Sequence, residues 1–162
     1  METKNQKLSS QALTISKTSK PQTFLTKSAS QTQKMGRLFA GLLNKGDIVF
    51  LKGDLGAGKT TFVQGVVGAF GNKGLVQSSS FIVAKEYSAK NGLKLFHLDL
   101  YRLSGADIWD IDIEQYLYSG NIALVEWSER LAGADKIKTW DIKFSYVQGT
   151  NNREITFQKG QR

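Results

Sequence analysis

Residues 53–60 read GDLGAGKT, and they carry the main sequence signal for the fold. It matches the phosphate-binding pattern G-x-x-x-x-G-K-[ST] at every fixed position. The apolar run IVFL at residues 48–51 predicts a buried strand before it, and residues 60–70 are predicted to form a helix after it. Glycines allow backbone N–H groups to point inward around a phosphate, and the helix directs the positive end of its dipole to the same place. The strand–loop–helix order therefore predicts a P-loop.

The residues of this loop have separate expected roles. Lys59 is expected to bridge the β- and γ-phosphates, and the hydroxyl of Thr60 to bind Mg²⁺. Residues 44–47 read NKGD, like the guanine-reading N-K-x-D, but they lie before the P-loop strand, at the end away from the phosphates. We therefore expect ATP as the nucleotide. The loop residues predicted to bind it are Asp54, Leu55, Gly56, Ala57, Gly58, Lys59, Thr60 and Thr61.

Two acids follow apolar strands and are candidates for organising the metal. Glu126 follows the run IALV, and Asp99 follows LFHL. Ligands of open α/β sheets bind beyond the carboxyl ends of the strands, so both acids are expected near the phosphates. One would hold Mg²⁺ directly or through water, and the other would orient the attacking water; alternatively, either acid only caps the segment that follows it. The predicted catalytic residues are Lys59, Asp99 and Glu126, and the predicted metal ligands are Thr60, Asp99 and Glu126.

The remaining pattern predicts an α/β fold, a three-layer P-loop NTPase-like sandwich around a mixed, mostly parallel sheet. Residues 1–21 are expected to form a flexible tail, and residues 22–162 a single domain. A helix capped by Ser30 and Gln33 is expected to end near residues 44–46, and a second, capped by Ser104 with Asp107, to reach Leu117. Further strands are predicted at residues 22–26, 81–87, 93–98, 140–147 and 154–157.

Composition excludes several classes of site. The chain has no cysteine and one histidine, which excludes disulfides, cysteine nucleophiles and multi-histidine zinc centres. No apolar run is long enough to span a membrane, and residues 1–22 carry no secretory signal, so a cytoplasmic protein is expected. The net charge of +8 fits either attraction to phosphate or RNA, or simple solubility.

Three segments together resemble the TsaE (YjeE) family of bacterial ATPases. They are GDLGAGKTTF at residues 53–62, HLDLYRL at residues 97–103 and VEW at residues 125–127. The P-loop alone is unspecific, but the other two segments at this spacing make the combination specific. The likeness spans roughly residues 23–157 in the order of its elements.

The resemblance implies a function and further site residues. Members of the family bind ATP and Mg²⁺, hydrolyse ATP slowly alone, and act with TsaD and TsaB, which modify adenosine 37 of tRNA. Contact with tRNA would be indirect, through that complex. The resemblance also places Trp127 next to the nucleotide. The family's S-P-T-[FY] segment reads SSSF at residues 78–81, where Ser79 and Ser80 replace proline and threonine, and Ser128 replaces the proline of its E-W-P motif. Both loops lose the rigidity of proline but keep the hydroxyl and the carboxylate.

Other functions remain as alternatives to a partner-activated ATPase. They are a non-catalytic ATP-sensing module, a small-molecule kinase and a direct tRNA binder. The kinase would need a lid with several arginines, and the chain has only five arginines in all. Residues 99–129 form an acidic stretch that holds seven of the fourteen acids, and Arg102 and Arg130 are expected either to stabilise transferred charge or to form salt bridges within it. His97 is expected to have a hydrogen-bonded structural role rather than a catalytic one, and Trp109 and Trp140 to pack in the core or an interface.

Overall fold

The computed structural model describes residues 14–17, 20–72, 84–105, 107–131, 133 and 136–160, and within them seven strands form one sheet. The order across the sheet is β1-β7-β6-β2-β5-β4-β3. The four central strands β6, β2, β5 and β4 are parallel, and the outer pairings are antiparallel. The strands are β1 Gln22–Thr26, β2 Ile48–Lys52, β3 Ala84–Ser88, β4 Lys94–Asp99, β5 Ile122–Glu126, β6 Trp140–Tyr146 and β7 Arg153–Lys159.

Helices cover both faces of the sheet, which confirms the predicted α/β sandwich. One face carries α1 (Ala29–Ala40) and α2 (Lys59–Ala69), which share the larger apolar core with alternate residues of the strands. The other face carries the short helices α3 (Asp107–Asp110) and α4 (Glu114–Leu117) and the smaller core. Strands β2 and β5 are apolar without alternation because both of their faces are buried.

Helices α1 and α2 approach each other at two glycines. A Cβ atom on Gly65 would lie 2.1 Å from the carbonyl oxygen of Gln33, and one on Gly36 would lie 2.2 Å from that of Phe62. Any side chain at these positions would force the helices apart. The close crossing holds α2, and with it the loop that precedes α2, against the rest of the fold.

The start and end of α1 differ from the prediction. Ser28 caps the helix, and Gln31, rather than Gln33, reaches back to the N–H of Lys27 at 2.8 Å. Both S-x-x-Q pairs fit a capping box, but Gln33 instead donates to Gln64 of α2 at 2.9 Å. The helix ends at Ala40 rather than near residues 44–46, because the backbone N–H groups of residues 41–43 donate to carbonyl oxygens three residues back instead of four.

The stretch predicted as one helix up to Leu117 is broken into α3 and α4. The Ser104–Asp107 cap is present. Between the helices Asp112 has a φ of 51°, which no α-helix accommodates. This break allows Ile108 and Ile113 both to be buried in the smaller core.

Residues 14–17 are packed where the sequence predicted a flexible tail. Ile15 is 5 % exposed and belongs to the larger core. The side-chain amide of Gln22 donates to the carbonyl oxygen of Ser16 at 2.8 Å and accepts from its backbone N–H at 3.0 Å. The division of the chain at residues 21 and 22 otherwise stays a prediction.

No helix in the part of the chain that the structure describes is long and apolar enough to cross a membrane.

Candidate nucleotide site

The glycine-rich loop joins β2 to α2 at the carboxyl edge of the sheet. Gly53 has a φ of 132°, and a Cβ atom there would lie 2.2 Å from the carbonyl oxygen of Phe144, so only glycine fits. The tip of the loop, residues 54–56, is exposed, with Leu55 66 % exposed. Gly58 caps α2 without a side chain, which leaves the first-turn N–H groups of α2 facing the loop. The loop is therefore open to an anionic ligand from solvent.

Lys59 lies folded back against this loop. Its side chain is 4 % exposed, and its Nζ donates to the carbonyl oxygens of Gly53 at 2.5 Å and Asp54 at 2.9 Å. The same Nζ lies 4.0 Å from the centre of the Trp127 ring. Burial lowers the pKa of Lys59, and the negative charge of Glu126 opposes that shift. The ammonium group of Lys59, which costs energy to bury, is thus held close to the backbone of the loop.

The two carboxylates lie side by side, because Asp99 and Glu126 are register partners at the ends of β4 and β5. Glu126 is 2 % exposed, and both of its oxygens are engaged. Its Oε2 accepts from the Thr60 hydroxyl at 3.0 Å, and its Oε1 lies 2.8 Å from Nε2 of His97. Glu126 is therefore bonded directly to the first turn of the P-loop helix.

Asp99 is less enclosed than Glu126. One of its oxygens accepts from the backbone N–H of Tyr101 at 3.1 Å. Burial raises the pKa of Asp99, and the charge of Glu126 raises it further, while the Tyr101 hydrogen bond and the nearby His97 and Lys59 act in the opposite direction. A carboxylate with a raised pKa is a stronger base than an exposed aspartate, which suits it to accept a proton from water.

Trp127 follows Glu126 with a φ of 58°, a conformation that is rare for a bulky residue. Its ring contacts Tyr101, with ring centres 4.8 Å apart. The guanidinium of Arg130 lies 5.6 Å from the Trp127 ring and donates to the carbonyl oxygen of Leu103 at 2.8 Å. Ser128 is buried in the 3₁₀ turn Ser128–Arg130.

Arg130 thus lies over two aromatic rings, 5.5 Å from the centre of Tyr101 and 5.6 Å from that of Trp127, and it forms no salt bridge among the described residues. Its other expected role, the stabilisation of transferred charge, stays a prediction. Trp140 is buried in the larger core, as predicted. Arg102 is exposed. Residues 78–81, with Ser79 and Ser80, lie outside the described residues, and so does the side chain of Trp109.

Tyr146 and Arg153 border the loop, and the sequence did not point to them. The Tyr146 hydroxyl donates to the carbonyl oxygen of Leu55 at 3.2 Å. Arg153 is the register partner of Tyr146 across β6 and β7, and its Nε would lie 3.9 Å from a Cβ atom on Gly58. The alternation of residues 140–146 predicted only a strand face. The sequence does not reveal that β6 pairs with β2 and so brings the C-terminal hairpin beside the loop.

The oxygen atoms at the start of α2 suit a hard cation. Mg²⁺ prefers oxygen ligands and is usually bound by one or two carboxylates together with substrate phosphates. Thr60 and Glu126 present such oxygens in mutual contact. The described residues contain no group of three or more histidine, cysteine, aspartate or glutamate side chains that would hold a metal alone. The residues present therefore fit a cation that arrives with a phosphate ligand.

Comparisons with known proteins agree on one family. The family pattern described as threonylcarbamoyl adenosine biosynthesis protein TsaE matches residues 26–155. The tRNA threonylcarbamoyladenosine biosynthesis protein TsaE of Bacillus subtilis is 33% identical over 132 residues, covering 82% of each chain. That of Treponema pallidum is 34% identical over 134 residues, covering 82% of this chain and 96% of the relative. The crystal structure of YdiB from Bacillus subtilis superposes with a TM-score of 0.70 at 30% identity, covering 90% of both chains.

Proposed function

This chain belongs to the TsaE family, and from that premise we propose that it is the Mg²⁺-dependent ATPase of the machinery that makes threonylcarbamoyladenosine at adenosine 37 of tRNA. ATP hydrolysis would drive or reset the transferase formed by TsaD and TsaB homologues. The chain would contact tRNA only through that complex, in the cytoplasm. The names of the relatives supply the pathway, and the loop geometry supports the nucleotide chemistry.

The observation that carries the proposal is the hydrogen bond between Thr60 and Glu126. It joins the hydroxyl expected to bind Mg²⁺ to a buried carboxylate on the neighbouring strand. A helix cap or a surface ion pair needs no such enclosed arrangement. A P-loop ATPase needs it, because a hydroxyl and a carboxylate at this position hold the cation that accompanies the triphosphate.

The residues of the site divide the work of hydrolysis between them. Loop amides and Lys59 would bind the phosphates, with Lys59 exchanging the carbonyl oxygens of Gly53 and Asp54 for phosphate oxygens. Thr60 and Glu126 would hold Mg²⁺, which neutralises charge on the phosphates when bound. Asp99 would orient the attacking water and accept one of its protons. The water oxygen would form a bond to the γ-phosphorus while the bond from the γ-phosphorus to the ADP oxygen breaks. Trp127 would line the nucleotide, together with Tyr146 and Arg153 at the loop's other side.

The proposal is tested by ATP hydrolysis of the purified protein with and without the TsaB–TsaD pair. We expect slow turnover alone, faster turnover with the pair, and loss of turnover in Lys59→Ala. Lys143→Ala is the matched control, because Lys143 is exposed on β6 and has no part in the proposed site. Unchanged hydrolysis in Lys59→Ala would refute the assignment.

Two other outcomes would favour the alternative functions. ATP that stays bound without turnover, even with both partners present, would indicate an ATP-sensing module. Transfer of the γ-phosphate to an acceptor in a metabolite screen would indicate a kinase.

A further inference from the structure

His97 is buried beside Glu126 at the end of the sheet. It is 4 % exposed and lies on β4, whose alternation places it on the same face as Asp99. The register pairs His97 with Leu124 and Asp99 with Glu126, so His97 reaches diagonally across to Glu126. Its Nε2 lies 2.8 Å from Oε1 of Glu126. The strand pairing therefore fixes the distance between the two side chains.

The two oxygens of Glu126 have different neighbours. Oε1 meets His97, and Oε2 meets the Thr60 hydroxyl at 3.0 Å. A carboxylate that binds a cation can only accept hydrogen bonds, so in the metal-binding state Nε2 of His97 is the donor of this pair. Since the terminal torsion of a glutamate is soft, a donor on one oxygen is what sets the direction of the other. His97 thereby directs Oε2 toward Thr60.

We propose that His97 is the positioning residue for the Mg²⁺ site, holding Glu126 in the orientation in which its second oxygen faces Thr60. This inference rests on the function proposed above, because it concerns the metal of that same site. It assigns the lone histidine a task in metal binding, where the sequence predicted only a structural hydrogen bond. Replacing a residue that hydrogen-bonds to a metal ligand and so orients it typically lowers metal affinity about 10- to 100-fold.

The test compares two variants that differ in one hydrogen-bond donor. His97→Gln keeps an N–H near the position of Nε2, and His97→Met fills similar space without a donor. A fluorescent ATP analogue reports nucleotide binding, first in EDTA and then during titration with Mg²⁺. We expect the Mg²⁺ concentration at half-saturation to rise about 10- to 100-fold in His97→Met and to stay within about threefold of wild type in His97→Gln. Binding in EDTA should match wild type in both variants.

Phe157→Leu is the control for a general weakening of the core. Phe157 is fully buried on β7 and belongs to the larger core, so this variant should lose thermal stability with an unchanged Mg²⁺ requirement. A wild-type Mg²⁺ requirement in His97→Met would overturn the positioning role, as would equal weakening in His97→Met and His97→Gln. If the wild-type protein binds no nucleotide with or without Mg²⁺, the proposed function itself fails, which separates the two results.

Discussion

The two faces of the sheet are built differently. The face under α1 and α2 carries long helices, a tight glycine crossing, and the buried ionisable residues Lys59, His97 and Glu126. The other face carries two helices of four residues each and a smaller, apolar core. The buried ionisable side chains therefore lie on the face that carries the long, regular helices.

This difference has a physical reason. A buried charge is tolerated only when fixed partners surround it, and fixed partners need a rigid frame. Helix α2 supplies that frame, since its N-terminus presents Thr60 to Glu126 and its middle is held against α1. The opposite face contributes mainly apolar contacts, which are non-directional and tolerate a broken helix. Changes to the buried ionisable residues or to the glycine crossing of the first face should therefore affect chemistry or global stability, and changes at the break between α3 and α4 should have small local effects.

The largest expected effect comes from the two carboxylates. Glu126→Gln should lower ATP hydrolysis by about 100-fold or more and raise the Mg²⁺ requirement, because the charge that faces Thr60 is lost. Asp99→Asn should lower hydrolysis by a similar factor but leave Mg²⁺-dependent ATP binding close to wild type. Turnover and binding of a fluorescent ATP analogue measure the two effects separately. The opposite pattern would exchange the roles assigned to the two acids.

The next effect concerns the frame itself. Gly65→Ala should lower the free energy of unfolding by about 3 kcal/mol, since the new methyl group would overlap the carbonyl oxygen of Gln33. Gly68→Ala in the same helix is the matched control: nothing lies within 4 Å of a Cβ atom there, so alanine should stabilise by up to about 1 kcal/mol. Urea unfolding measures both. Equal effects of the two substitutions would show that the crossing does not hold α2.

The sequence predicted the first face better than the second, because the sequence patterns that indicate the first face lie within short segments of the chain. The loop at residues 53–60 and the acids at strand ends follow from spacing alone, and the structure brings Thr60 and Glu126 into contact. Tyr146 and Arg153 were missed because their place beside the loop depends on the pairing of β6 with β2, which no local pattern encodes.

Local patterns also failed where two readings fitted equally well. Ser28 and Ser30 each begin an S-x-x-Q capping box, and contact between Gln33 and α2 decides between them. The alternation Ile111-Asp112-Ile113 fits a helix poorly, but only the buried positions of Ile108 and Ile113 in the smaller core require the break at Asp112.

The smallest expected effect lies at that break, on the second face. Asp112 is exposed with a φ of 51°, in the left-handed region, where a Cβ atom costs roughly 1–2 kcal/mol. Glycine at position 112 should therefore be more stable than alanine there by about 1 kcal/mol. At Asp110, the last residue of α3, the order should reverse by up to about 1 kcal/mol, because glycine is the poorer helix former. Chemical denaturation of Asp112→Gly, Asp112→Ala, Asp110→Gly and Asp110→Ala measures both differences. ATP binding should be the same in all four variants, since Asp110 and Asp112 are both exposed. A changed affinity would mean that the break acts on the nucleotide site through Trp127, which packs against the smaller core.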